Sequence, residues 1–261
     1  MLDEIVKRLS ELNMVKAIAL SGSKTSEIND ASSDWDIYVY SDSRVPTEER
    51  KRIFGEIMQH SRIDCSPFEE GDECLDSNGQ CYDIMYRSLE WTEWQVDDVW
   101  RKHNARIGYT TCFLYNIKTS RILFDRDGWF RRLQEELSGP YPEELRENII
   151  RKNMSIIDGD GESTFLIQAE LAHKRNDIIS ENHRLSAILA SAFDVLFAYN
   201  EVFHPGEKKL LGYSHLLCHA MPEDFDEKCR KAIRTLGTDD FIPSLRAFTA
   251  SLHSFLGKSS S

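Results

Sequence analysis

The sequence lacks any apolar run near the ~20 residues of a bilayer-spanning helix. It is also short of cations: 32 Lys and Arg stand against 44 Asp and Glu, a formal net charge of −12. The first absence excludes a membrane helix. The second makes nucleic acid an unfavoured partner, because broad binding to a phosphate backbone needs a basic face. Cysteine pairing is missing too. Cys65, Cys74, Cys81, Cys112, Cys218 and Cys229 form no CxxC pair and no framework spacing, so they read as reduced, mostly buried thiols. The opening MLDEIVKRLSEL mixes acids with spaced apolar residues, unlike a signal peptide, and the expected location is cytoplasmic. No internal repeat is found. What is present, 41% hydrophobic and 29% charged, suits a globular chain with a sizeable core.

Along the chain, Leu2, Ile5, Val6, Leu9 and Leu12 recur at helical spacing. The apolar run Val15 to Leu20 then leads to Ser21-Gly22-Ser23. Asp34 to Val39 alternates as a strand. A helix is expected after Pro46, a strand over 62–68, an acidic loop over 69–79, a strand from Cys81 to Tyr86, a helix from Trp91 to Trp100, and a short strand at Ile122-Leu123-Phe124. Beyond Ser138-Gly139-Pro140 only helical stretches are legible, at 143–157, 162–182, 185–200, 207–220, 223–236 and 241–255. The expected fold class is α+β, with a mixed sheet domain over 1–139 and an all-helical domain over 140–261.

Chemistry concentrates in the first half. Asp34 and Asp36 project from one face of their strand, roughly 7 Å apart, where carboxylates can share hard divalent cations. Asp83 stands in a later strand among apolar neighbours, with Asp64 as the alternative third acid. An acid-x-acid triplet alone is uninformative, since 44 acids in 261 residues produce about seven by chance. The signal is the order: apolar strand, Gly-Ser turn, spacer, acid-x-acid strand, then an isolated acid in another strand.

In that order, and in the run Ser-Asp-Trp-Asp-Ile, the chain resembles the polymerase-β-like nucleotidyltransferase superfamily over roughly residues 15–87. Ser21 stands where that superfamily often has an apolar residue. The helical half is similar to that of the aminoglycoside and lincosamide adenylyltransferases. Gly-Tyr-Thr-Thr at 108–111, Phe-Asp-Arg-Asp-Gly at 124–128 and Asn-Glu-Val-Phe-His-Pro-Gly-Glu-Lys at 200–208 look like a bacterial branch of that group. The resemblance implies a mixed sheet backed by helices and a Gly-Ser turn at a helix start. It also implies transfer of a nucleoside monophosphate from a nucleoside triphosphate such as ATP onto a hydroxyl of a small-molecule acceptor.

A triphosphate adds about four negative charges to three carboxylates, and like charges ~4 Å apart repel by about 4 kcal/mol per pair at an effective dielectric of 20. Cations are therefore required, and oxygen-only ligands select Mg²⁺ or Mn²⁺. Asp34, Asp36 and Asp83 would be catalytic and metal-binding, Asp83 also taking the acceptor's proton. Gly22 and Ser23 would cradle the β/γ-phosphates, and the resemblance suggests that Lys208 reaches the triphosphate. The alternatives are transfer to a protein or RNA target, and a catalytically silent nucleotide-binding regulator. The acids of Asp64 to Asp76 could line a mouth for a cationic acceptor or form a solvated loop. His215, Cys218 and His219 share a helical face but lack a fourth zinc ligand. The helical half offers a face on which two copies could pair as a homodimer.

Overall fold

The computed structural model describes residues 1–25, 34–65 and 69–257, with the Ser23 and Thr25 side chains outside that description. The chain is α+β, as expected. It divides into two compact units, Met1–Asp98 with Phe113–Pro140, and Val99–Cys112 with Tyr141–Ser261. Among the described residues no helix is long and apolar enough to cross a membrane.

In the first unit, α1 (Leu2–Ser10) leads into β1 (Val15–Ser21), a 3₁₀ turn Gly22–Thr25 and, beyond the undescribed stretch, β2 (Trp35–Ser41). Then follow α2 (Thr47–Ile57), β3 (His60–Arg62), β4 (Gly71–Leu75), β5 (Cys81–Ser88) and α3 (Leu89–Val96), which runs into a π-helical turn Asp97–Arg101. The unit closes with α4 (Cys112–Thr119), β6 (Arg121–Asp125) and α5 (Trp129–Glu136). Among the described residues six strands form one sheet, ordered β3-β4-β5-β2-β1-β6. The β2–β5 pair is parallel and its neighbours are antiparallel. Alternation sends Ile37 and Val39 of β2, with Tyr82, Ile84 and Tyr86 of β5, to one face, where they pack with Ile5, Leu9, Ile53 and Phe54 of α1 and α2. The opposite face receives Asp36, Tyr38 and Tyr40 beside Asp83 and Arg87.

Part of the stretch read as an acidic loop is strand β4, and the strand read over 62–68 stops at Arg62 among the described residues. Arginines make the difference. Arg50, fully buried, donates to Asp72 at 3.1 Å and to Glu70 at 2.8 Å, while the Tyr86 hydroxyl donates to Asp72 at 2.8 Å. Arg62 pairs across the ladder with Glu73 at 3.0 Å, and the Asp76 carboxylate accepts the N–H groups of Asn78 and Gln80 to close the next turn. Burial raises the Asp72 pKa, against the opposing pull of the Asp64 N–H, Tyr86 and Arg50. Pairing these acids within the protein removes the repulsion that would keep the segment open. Arg50→Leu leaves Asp72 buried without its cation and is expected to cost about 3 kcal/mol or more. Arg44→Ala, which breaks only exposed pairs with Asp64 and Glu70, should cost under about 1 kcal/mol, both measured by urea denaturation.

The second unit is helical: α6 (Glu143–Asp158), α7 (Phe165–Lys174), α8 (Ile178–Tyr199), α9 (Leu210–Leu217), α10 (Phe225–Arg234) and α11 (Phe241–Gly257). The break expected between 182 and 185 falls instead at 175–177. There Asn176 takes a left-handed φ of 54° and the Asp177 side chain accepts from Ser180 N, starting α8. Helix α5 was not legible either; Asp125 caps it by accepting the N–H groups of Phe130 and Arg131. Ile188, Ala192, Val195 and Leu196 of α8 anchor a core completed by Phe225, Phe241 and Phe248.

The Gly108–Thr111 segment is fastened to this unit by buried polar groups. Asp194 on α8 is almost fully buried and accepts from Thr110 N at 3.0 Å, Thr110 Oγ1 at 2.6 Å and Asn153 Nδ2 at 3.1 Å. Asn153 in turn accepts from Gly108 N at 2.9 Å, and Gly108, at φ +70°, lies against Ala190 where a Cβ would press at 3.2 Å. Desolvation lifts the Asp194 pKa from 3.8 to about 7, its three hydrogen bonds opposing the rise. The folded chain thus holds a proton that the unfolded chain releases between those values, so rising pH weakens folding in that window. Unfolding free energies measured from pH 4 to 7 should therefore fall in the native chain more steeply than in Asp194→Asn. Equal slopes would remove Asp194 as the cause.

Candidate active site

Sheet register gathers the sequence's acids. Ser21 of β1 is opposite Asp36 of β2, Asp36 is opposite Asp83 of β5, Asp83 is opposite Glu73 of β4, and Glu73 is opposite Arg62 of β3. Adjacent strands lie about 4.8 Å apart, so residues in register on one face are side-chain neighbours. Asp36 and Asp83, both half-buried, are therefore neighbours across the parallel pair. Asp34, exposed just ahead of β2, shares their face by alternation. One step before the Trp35–Tyr82 pair, it comes alongside Cys81. The Cys81 thiol donates to Asp34, and its pKa is raised by desolvation, then by the charges of Asp34 and Asp83. Three carboxylates and one thiol thus form a block two residues long and two strands wide. Of the six thiols, expected to be mostly buried, Cys74 and Cys229 are buried, Cys65, Cys112 and Cys218 are half-buried, and Cys81 is exposed.

The turn after β1 is fitted to Asp36. Gly22 has φ +69°, and a Cβ placed there would lie 1.9 Å from Asp36 Oδ2. Only glycine lets the backbone come this close to the carboxylate. The Ser23 side chain lies outside the described residues, as do residues 26–33 of the spacer.

Behind the acids, on the same face, lies Arg87, 8% exposed. Its guanidinium stacks 4.0 Å from the Tyr38 ring centroid and donates to Glu69 at 3.0 and 3.2 Å and to Asn116 Oδ1 at 2.9 Å. Asn116 Nδ2 donates to Ser21 Oγ at 2.7 Å, so a continuous chain of hydrogen bonds runs from Glu69 to the residue before Gly22. Neither Arg87 nor Asn116 stood out in the sequence, because only the sheet and α4 bring them to Ser21.

The donor set is oxygen-rich and suits a hard divalent cation. Among the described residues, however, no group of three His, Cys, Asp or Glu side chains is already gathered around a single ion position. Asp36 instead leans onto the Gly22 turn. Asp64 is elsewhere, facing Arg44 and Arg50. The six acids of Asp64 to Asp76 are each engaged within the unit by arginine or backbone groups, so they do not form a bare anionic mouth. Lys208 is exposed in the second unit, in the turn before α9. His215 pairs with Asp226 at 3.0 Å. Trp100 is buried, and Trp94 is 51% exposed.

Comparison with known proteins gives three findings. Residues 109–210 match a family described as a domain of unknown function, DUF4037; the match leaves out Asp34, Asp36 and Asp83. No curated protein matches in sequence. In structure, the chain is similar to a nucleotidyltransferase-like protein from Exiguobacterium sibiricum, with 9% identity and a TM-score of 0.46 over 97% of this chain and 72% of that one. It is also similar to an aminoglycoside 6-adenyltransferase from Bacillus subtilis, with 10% identity and a TM-score of 0.30 over 98% and 90%.

Gly22→Ala meets both a left-handed φ and the Asp36 carboxylate, so it should destabilise the chain by about 1–2 kcal/mol or more. In an Asp36→Ala background the steric share disappears. A double-mutant cycle by chemical denaturation should therefore return a coupling energy between the two positions, where additivity would mean no contact.

Proposed function

We propose that this chain is a nucleotidyltransferase, moving a nucleoside monophosphate from a nucleoside triphosphate onto a hydroxyl of a small-molecule acceptor. The pairing of Asp36 with Asp83 across parallel strands, with a glycine turn pressed against Asp36, carries this reading. A triphosphate must approach backbone N–H groups closely and meet carboxylates that need cations, and the end of this sheet offers both. Asp34, Asp36 and Asp83 would hold Mg²⁺ or Mn²⁺, which when bound supplies charge neutralisation and acidifies the attacking hydroxyl.

The chain's own groups have separable roles. The Gly22 turn admits the polyphosphate tail without a Cβ in the way. The acceptor oxygen bonds to the α-phosphorus as the bond to the bridging oxygen breaks, and pyrophosphate leaves. Asp83 on β5 accepts the acceptor's proton and returns it to solvent. Arg87 and Asn116 hold Ser21, and with it the start of the turn, in place.

Pyrophosphate release with each of the four nucleoside triphosphates, Mg²⁺ and a panel of hydroxyl acceptors tests the reading. Asp36→Asn and Asp83→Asn should each lower turnover about a thousandfold, about 4 kcal/mol of lost charge stabilisation, while circular dichroism stays unchanged. Retention of most of the turnover by Asp36→Asn would dismiss the proposal. Tight binding of a non-hydrolysable triphosphate with no release on any acceptor would point to a regulator instead.

A further inference from the structure

A cavity of about 330 Å³ opens at the end of the sheet, lined by Leu20, Lys24, Trp35, Thr119 and Arg121. It lies wholly within the first unit. Leu20 and Arg121 are cross-strand partners on β1 and β6, and so share a face. Trp35 stacks on Tyr82 with ring centroids 6.2 Å apart, which sets its side chain on the apolar side of β2. Asp34 and Asp36 flank Trp35 in the chain and project to the other side. The cavity and the carboxylate block are therefore separate sites on opposite faces of one strand.

The lining has a definite chemistry. Lys24 Nζ stands 5.5 Å from the centre of the Trp35 ring. Among the described residues neither Lys24 nor Arg121 has a carboxylate partner. In a chain carrying twelve more acids than bases, two cations lining one cavity, neither paired with a carboxylate among the described residues, suit an anionic ligand. A point-charge ammonium and a forked guanidinium together balance a phosphate dianion better than a single carboxylate. The volume exceeds what a bare ion needs and sits at the lower end of ligand pockets, about 300 Å³. The Trp35 face and Leu20 supply an apolar wall for a body of about one ring.

We propose that this cavity binds a small phosphate ester, its phosphate between Lys24 and Arg121 and its ring against Trp35. The site uses none of the three aspartates, but Lys24 belongs to the Gly22–Thr25 turn that the nucleotidyl-transfer reading gives to the polyphosphate, so the Asp36→Asn variant is needed to tell the two sites apart.

Isothermal titration calorimetry on the full chain in EDTA tests it, with glucose 6-phosphate and AMP as phosphate esters and glucose and adenosine as their neutral counterparts. At least one ester should bind saturably and its neutral counterpart should not; which ester binds tells a sugar body from a base. Lys24→Ala and Arg121→Ala, at side chains exposed enough to leave the fold intact, should each weaken that binding at least tenfold. Asp36→Asn should leave it unchanged. The proposal is overturned if neither ester binds, if both cation variants bind as the native chain does, or if Asp36→Asn abolishes binding and so moves the phosphate to the carboxylate block. Loss of transfer in Asp36→Asn with ester binding intact would show the two sites failing separately.

Discussion

Parallel pairing of β2 with β5 forces Asp36 and Asp83 to be neighbours, and much of the first unit's design follows from holding like charges together. Two carboxylates on adjacent strands gain nothing from each other in the folded state. Their positions are imposed by Ile37, Val39, Ile84 and Tyr86, whose burial on the other face of the same strands fixes the register. A one-residue slip would exchange the acids with the apolar set, so the hydrophobic effect holds the carboxylates where electrostatics alone would not.

Cations inside the unit are used to keep that arrangement tolerable. Arg50 neutralises the acids of β4 on the apolar face, and Arg87 stands behind Asp36 and Asp83 on the polar face, tied to Glu69 and Asn116. Arg50 and Arg87 thus serve acids on either side of the block, Asp72 and Glu70 on one side and Glu69 on the other. A turn with glycine at its first position then brings backbone to Asp36 at a distance no side chain would permit. On the proposed reading, these features would serve a cation-bound polyphosphate.

The second unit is organised on a different principle. Its helices share an apolar core around α8, and its polar signature residues are spent on fastening one segment, Gly108–Thr111, through Asp194 and Asn153. The Gly-Tyr-Thr-Thr run thus acquires a physical meaning: Gly108 permits contact with α8, Thr110 satisfies a buried carboxyl, and Thr111 Oγ1 accepts the His204 N–H at 2.8 Å. The motif at 108–111 and the His204 of the later motif are therefore bonded to each other.

Local pattern is enough to read the strands of Val15 to Leu20, Asp34 to Val39 and Cys81 to Tyr86, the helix after Pro46 and that of 143–157, and the shared face of Asp34 and Asp36, because side-chain alternation and helical periodicity are properties of a few consecutive residues. The acid-rich β4 was not legible, since its charges are neutralised by Arg50 and Arg62 from elsewhere in the chain. The cap that splits α7 from α8 is local, the Asp177 side chain accepting from Ser180 N. Strand order, the pairing of Asp36 with Asp83, the exposure of Cys81 beside Asp34, and the hydrogen-bonded path from Arg87 to Ser21 were decided only by tertiary structure. Each joins residues far apart in the chain, and no pattern within a single segment records which strand will lie beside it.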